Sequence, residues 1–379
     1  MDLLSRLWLD CLAGNFTENT IAQLARVSTF EATRLIALSK KQGLTALFYW
    51  RVRPFANRLP STLIEPLRLQ CLFETARSVQ REKELARVLS ALNTAKVQTV
   101  VFKGAALAHT VYPLPELRTT GDFDLWIDLK QMDDAIYSLE QIGYVWREKK
   151  SRPHTWQLER EGEIQLFGTG PRHGLVELHY GVFAGEWLYR TACVNSATVR
   201  ARCQPATIVG QSAWTLAPED ALIQIAVHIA ISHSMSATVL RSLMDILFLS
   251  SHIGDWEQVV SRVQKWRVAT PVGLVLQFAD DLLRIPVLYP TLTRLKPGAF
   301  RRRLIGSFID HDSIISAKDL TRTKSRFLFL LLLVHRPIDM LRLIYRAFIP
   351  ERAWLERRYG MFTWNVRLRH FVNALGGHF

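Results

Sequence analysis

Apolar residues recur at three- and four-residue spacings through the first 95 positions, as in LIALSKKQGLTALFYW and CLFETARSVQREKELARVLSALNTA, which predicts helices. In the second of these segments Leu72, Val79, Leu85, Val88, Leu89 and Leu92 form an apolar stripe, and Pro54, Pro60 and Pro66 interrupt the stretch before it. The pattern changes at 97–102, a β-branched run that ends at Lys103-Gly104. A helical GAALAHTVY follows, then a loop imposed by Pro113 and Pro115 that lasts to Gly121. Asp122 to Ile127 reads as a strand, Lys130 to Ile142 as an amphipathic helix closed by Gly143, and 155–159, 163–167 and 175–180 as further strands. From Pro218, a first-turn proline followed by Glu219 and Asp220, the period is helical again. The helices expected there are 218–232, 238–250, 255–267, 272–283, 298–310 and 324–348. The expectation is an α+β fold, with a small mixed sheet in a unit at 96–205 flanked by helical regions at 1–95 and 206–379.

Composition narrows the class. Apolar residues make up 49% and charged residues 22%, which excludes an intrinsically disordered chain. The net charge is +14, favouring polyanionic partners such as nucleic acid, nucleotides or an anionic membrane surface. From Lys296 onward there are 16 Lys/Arg against 6 Asp/Glu, so the last quarter carries +10 of that excess. Cys11, Cys71, Cys193 and Cys203 form no CxxC pair and fit neither a zinc site nor a disulfide framework; reduced thiols and a cytoplasmic location follow. The start MDLLSRLWLDCLAG is a poor signal peptide, because an acidic residue breaks its apolar run. The longest apolar run, FLFLLLLV at 327–334, falls short of the about 20 residues a spanning helix needs, so no transmembrane segment is expected.

The candidate chemistry sits on the strand at 122–127. Asp122 and Asp124 lie two apart, so both carboxylates project from one face while Phe123 and Leu125 fill the other. Two carboxylates about 4 Å apart repel by roughly 4 kcal/mol at an effective dielectric near 20, so one is protonated or a cation sits between them. Hard oxygen ligands select magnesium or manganese. A second Asp-x-Asp, Asp310 and Asp312, lacks the apolar strand context. Glu177, a lone acid within Leu175-Val176-Glu177-Leu178-His179, is the third carboxylate expected, and His179 shares its face as a candidate base. Glu163 is a weaker candidate on an exposed strand position, and Asp128, Asp133 and Asp134 read as solvated. Lys103-Gly104 falls where a strand turns into a helix, the place where free amides and a positive charge meet phosphate. Arg118 ends the proline loop within reach of the same phosphates. His228 lies in an apolar helix and reads as a core histidine, and Asp245 is spaced to pair with Arg241 at i, i+4.

Together, Val101-Phe102-Lys103-Gly104-Ala105-Ala106-Leu107, Tyr112-Pro113, Leu117-Arg118, Gly121-Asp122-Phe123-Asp124-Leu125 and Val176-Glu177-Leu178-His179 closely resemble the signature of the uncharacterised nucleotidyltransferase family. That family belongs to the DNA polymerase β-like nucleotidyltransferase superfamily. The resemblance extends to Leu216-Ala217-Pro218-Glu219-Asp220, Val227-His228, Leu240-Arg241, Asp245 and Arg358-Tyr359-Gly360. It implies Asp122, Asp124 and Glu177 as magnesium or manganese ligands and catalytic residues, with Lys103, Gly104, Arg118 and His179 near the nucleotide. The superfamily's usual Gly-Ser pair is Lys103-Gly104 here, so the serine that would touch a phosphate is missing.

The leading function is transfer of a nucleoside monophosphate from an NTP such as ATP to an acceptor, with release of pyrophosphate. The acceptor can be a small molecule, a peptide, a protein or RNA. Two other readings fit: a noncatalytic RNA- or protein-binding module of the same fold that uses the basic C-terminal quarter, and a tRNA-modifying toxin.

Overall fold

The computed structural model describes residues 1–147, 157–170, 174–236, 238–285, 289–317 and 323–375. Its longest described element is the helix Ser61–Thr94, which starts directly after Pro60 and contains Pro66 in its second turn. At about 1.5 Å per residue this helix is roughly 50 Å long, enough to serve two cores. Leu63, Ile64 and Leu67 at its start lie in the larger core, and Leu85, Val88, Leu89 and Leu92 at its end lie in the smaller one. Leu72 and Val79, between them, are exposed, so the apolar stripe expected along the segment is confined to its last turns.

Among the described residues seven strands form one mixed sheet: β1 (Val100–Val101), β2 (Asp122–Trp126), β3 (Tyr144–Trp146), β4 (Glu163–Gly168), β5 (Leu175–His179), β6 (Gln204–Ile208) and β7 (Gln211–Thr215). Their order is β3-β4-β5-β2-β1-β7-β6. β2 runs parallel to β5 and β1 parallel to β7, and the remaining neighbours are antiparallel. Part of the strand expected at 155–159 lies outside the described residues, and Gln157–Glu161 forms a π-helical turn instead.

The β6–β7 hairpin goes beyond the sequence pattern for a physical reason. Its two-residue turn, Val209-Gly210, has positive φ at both positions (46° and 76°). Such turns usually carry Asn-Gly, and a β-branched valine masks this one.

The sheet's two faces differ. Phe123, Leu125, Val176 and Leu178 pack into the smaller core with the end of Ser61–Thr94 and the helix Met132–Glu140. On the opposite side Trp126 and Phe102 join the larger core, which draws on helices from both ends of the chain through residues such as Trp8, Phe48, Leu222 and Leu276. The alternate residues of β2 and β5 therefore point towards the helical body. There the helix expected at 218–232 is α-helical over Pro218–Val227 and π-helical over His228–Ser232. The helix expected at 324–348 divides into Thr323–Leu333 and Pro337–Phe348. Proline disfavours helical backbone in the residue before it and is itself accepted in a first turn, which sets that break. Among the described residues no helix is long and apolar enough to cross a membrane.

Candidate active site

The register of the sheet assembles the site. β2 and β5 pair so that Asp124 lies beside Glu177 and Trp126 beside His179. β4 pairs on the other side of β5, placing Gln165 opposite Glu177 and Glu163 opposite His179. His179 Nε2 is 3.0 Å from Asp124 Oδ1 and 3.8 Å from Glu177 Oε2, and Gln165 Nε2 donates to Glu177 Oε1 at 2.8 Å. His179 Nδ1 is 3.5 Å from Glu163 Oε2 and makes no hydrogen bond. Glu163, a weak candidate from sequence, thus borders the cluster.

Lys103 follows β1 at the first position of the helix Lys103–Thr110, with a left-handed φ of 53°. Such a backbone costs a lysine on the order of 1–3 kcal/mol and tends to survive where a site demands it. Here it turns the side chain back onto the sheet, where Nζ donates to Asp124 Oδ1 at 2.6 Å and lies 4.0 Å from Glu177 Oε2.

The electrostatics leave one carboxyl poorly compensated. Burial opposes the charge on Lys103, but Asp124, Glu177 and Glu163 outweigh it and hold the amine protonated. Burial likewise opposes the charge on Asp124, and Lys103 with the His179 hydrogen bond overcomes it, so this carboxyl stays ionised well below the usual range. Glu177 goes the other way, pushed up to about 8 by burial, then by Glu163 and Asp124. Asp122 is raised by burial and by Asp124.

Asp124, Glu177 and His179 each offer a ligand atom, all within 4.8 Å of one another. The donor set fits a divalent cation, because two carboxylate oxygens suit magnesium or manganese and an added cation relieves the charge that raises Glu177. Asp122 stands outside that group of three; with Asp124 it lines a cleft partly open to solvent, which Glu177 and His179 do not line.

The opposite wall of the cleft comes from the helices after Pro218. His228 Nε2 and His233 Nε2 are 2.9 Å apart, joined by one hydrogen bond. His228 belongs to the π-helical turn, and Ser234 and Met235 just beyond it have positive φ. This irregular backbone brings both imidazoles to the cleft, a placement that helical periodicity does not reveal. Burial, and then Lys103, lowers the pKa of both, so they are neutral at neutral pH.

Arg118 also lines the cleft, with its guanidinium committed elsewhere. Nε donates to Asp245 Oδ1 at 2.7 Å and an Nη to Oδ2 at 2.8 Å, while the Tyr112 hydroxyl donates to Oδ1 at 2.8 Å. A side chain at Gly104 would come within 3.1 Å of that guanidinium, so glycine there admits Arg118. Asp245 is therefore not the partner of Arg241. Arg241 instead donates weakly to the Thr119 carbonyl at 3.3 Å and to Thr238 Oγ1 at 3.2 Å, and its Nε has no partner. No carboxylate among the described residues ion-pairs with it, and burial, with Arg118 adding, lowers its pKa to about 10.

Comparison with known proteins places the chain. No curated protein matches. Among solved structures, the antibiotic-resistance factor ANT(2'')-Ia aligns at 14% identity over 49% of this chain and 91% of its own, with a TM-score of 0.35, too distant to define residue correspondences. The family described as uncharacterised nucleotidyltransferase matches residues 28–284, a span that contains the whole sheet, the acidic cluster and the histidine-bearing wall. The chain belongs to that uncharacterised nucleotidyltransferase family.

Proposed function

We propose that the chain transfers a nucleoside monophosphate from an NTP to an acceptor nucleophile in the cleft between β2/β5 and the His228–His233 wall. In this reading Asp124 and Glu177, assisted by Asp122 and His179, hold magnesium or manganese. The observation that carries it is the convergence of Asp124, Glu177 and His179, with Asp124 and Asp122 lining an open cleft and Glu177 left at about 8.

A bound divalent ion would supply charge neutralisation at the phosphates and polarise the reacting phosphorus. The chain's own residues do the rest. Lys103 compensates the charge of Asp124 and presents a cation to phosphate in the cleft it lines. Arg241, an uncompensated cation on the facing wall, is assigned to the β- and γ-phosphates, with Arg118 holding the wall in place. The acceptor oxygen or nitrogen forms a bond to the α-phosphorus as the bond to the bridging oxygen breaks, and pyrophosphate leaves. The acceptor's proton goes to a neutral imidazole of the His228–His233 pair. His179 is poorly suited to that task, because it is buried with Nε2 bound to Asp124.

Incubation of the protein with α-labelled NTPs, magnesium and candidate acceptors tests this. Label transfer that disappears in Asp124→Ala supports it, and equal transfer by the variant rejects the site.

A further inference from the structure

Two helices near the end of the chain, Pro337–Phe348 and Trp364–Leu375, pack together, with the Phe348 and Phe371 ring centroids 5.9 Å apart. A helix on a globular protein ordinarily turns its polar stripe to water. These two turn large apolar side chains outward. On the first, Ile338, Leu341 and Tyr345 recur on one face at helical spacing, with Leu341 57% and Tyr345 61% exposed. Leu343 of the same helix points inward and is buried. On the second, Trp364, Leu368, Phe371 and Val372 repeat the pattern, with Trp364 74% and Leu368 64% exposed, while Val366 and His370 are buried.

The segment that carries this face is strongly positive. The quarter of the chain from Lys296 has 16 Lys/Arg against 6 Asp/Glu. Several of those acids are already paired: Asp339 with Arg342, Glu351 with Arg346, and Glu356 with Arg352. Arg336, which caps the first helix, and Arg369, on the second, are exposed without a carboxylate partner among the described residues.

We propose that this face docks on an anionic phospholipid surface, its apolar side chains entering the headgroup–acyl boundary and its arginines meeting lipid phosphates. The chemistry selects this occupant. RNA would use the arginines and leave Leu341 and Leu368 in water. A second copy of the chain would cover the apolar stripe only by setting two strongly positive surfaces against each other. No described helix is both long and apolar enough to span, so the association is peripheral.

The test is co-sedimentation of the full chain with vesicles of phosphatidylcholine containing about one-third phosphatidylserine, against pure phosphatidylcholine. We expect binding at least about tenfold stronger to the anionic vesicles, weakened by salt. Combining Leu341→Glu with Leu368→Glu should reduce it about tenfold or more while melting temperature and nucleotide binding stay unchanged, because both side chains are solvent-facing. Failure to bind anionic vesicles overturns the proposal, as does equal binding by the double variant. Salt-sensitive RNA binding without vesicle binding would assign the face to nucleic acid. A dimer that the double variant converts to monomer would assign it to a second copy.

Discussion

Lys103–Asp124 and Arg118–Asp245 are both buried cation–carboxylate pairs lining one cleft, yet they are built differently. In the second, a planar guanidinium meets its carboxylate through two parallel hydrogen bonds, and the Tyr112 hydroxyl adds another. Its charges are matched one to one. In the first, a single ammonium hydrogen-bonds Asp124 beside Glu177, Glu163 and Asp122, so the carboxylates exceed the cation. Burial is common to both and so does not mark function. What marks it is imbalance: a closed pair fixes a wall, whereas an overcrowded one leaves room for a further cation.

Substitutions at the two pairs and at Arg241 break or sharpen that contrast. The largest effect expected is on catalysis: Asp124→Ala should lower NMP transfer by about 10²–10³-fold or more, read as initial rates of label transfer. Arg118→Ala should instead unfold the wall, lowering stability by about 3–5 kcal/mol in denaturant titration, because it strands the buried Asp245. Combining Arg118→Met with Asp245→Leu should recover most of that loss, since a matched apolar pair replaces a matched ionic one. An apolar pair placed at Lys103 and Asp124 is expected to leave the protein folded and inactive. Arg241→Gln is expected to raise KM for NTP about tenfold with little change in melting temperature, because its guanidinium has no ionic partner to strand.

The smallest effect is a pH dependence. Glu177 binds its proton more tightly folded than unfolded, so stability is greatest below the ordinary carboxylate range and falls as pH rises towards about 8. His228 and His233, with lowered pKa, act oppositely by losing stability below about 6.5. The clean window is therefore about 6.5 to 8. There the metal-free protein should lose a few degrees of melting temperature, and Glu177→Gln should flatten the slope. An unchanged slope in the variant would remove Glu177 as its source.

Much of this contrast was legible along the chain, and the remainder was not for identifiable reasons. Period-two alternation at Asp122-Phe123-Asp124 and Glu177-Leu178-His179 was enough to place those side chains on one face, and the parallel register then set Asp124 beside Glu177. Pairings between distant segments were hidden. Spacing along one helix suggested Arg241 for Asp245, whereas the bidentate partner, Arg118, comes from 127 residues away. The His228–His233 contact depends on a π-helical turn that a 3.6-residue period reads as core. The Lys103-Gly104 turn marks Lys103 as a cation near the site, but its left-handed backbone, which folds it onto Asp124, has no sequence signature of its own.

The most direct test is crystallographic: the protein with manganese and a nonhydrolysable NTP, mapped at the manganese anomalous edge. The account predicts a peak about 2.1 Å from carboxylate oxygens of both Asp124 and Glu177, with the triphosphate between it and Arg241. It is contradicted by nucleotide bound in the cleft with no anomalous peak and Lys103 still hydrogen-bonded to Asp124.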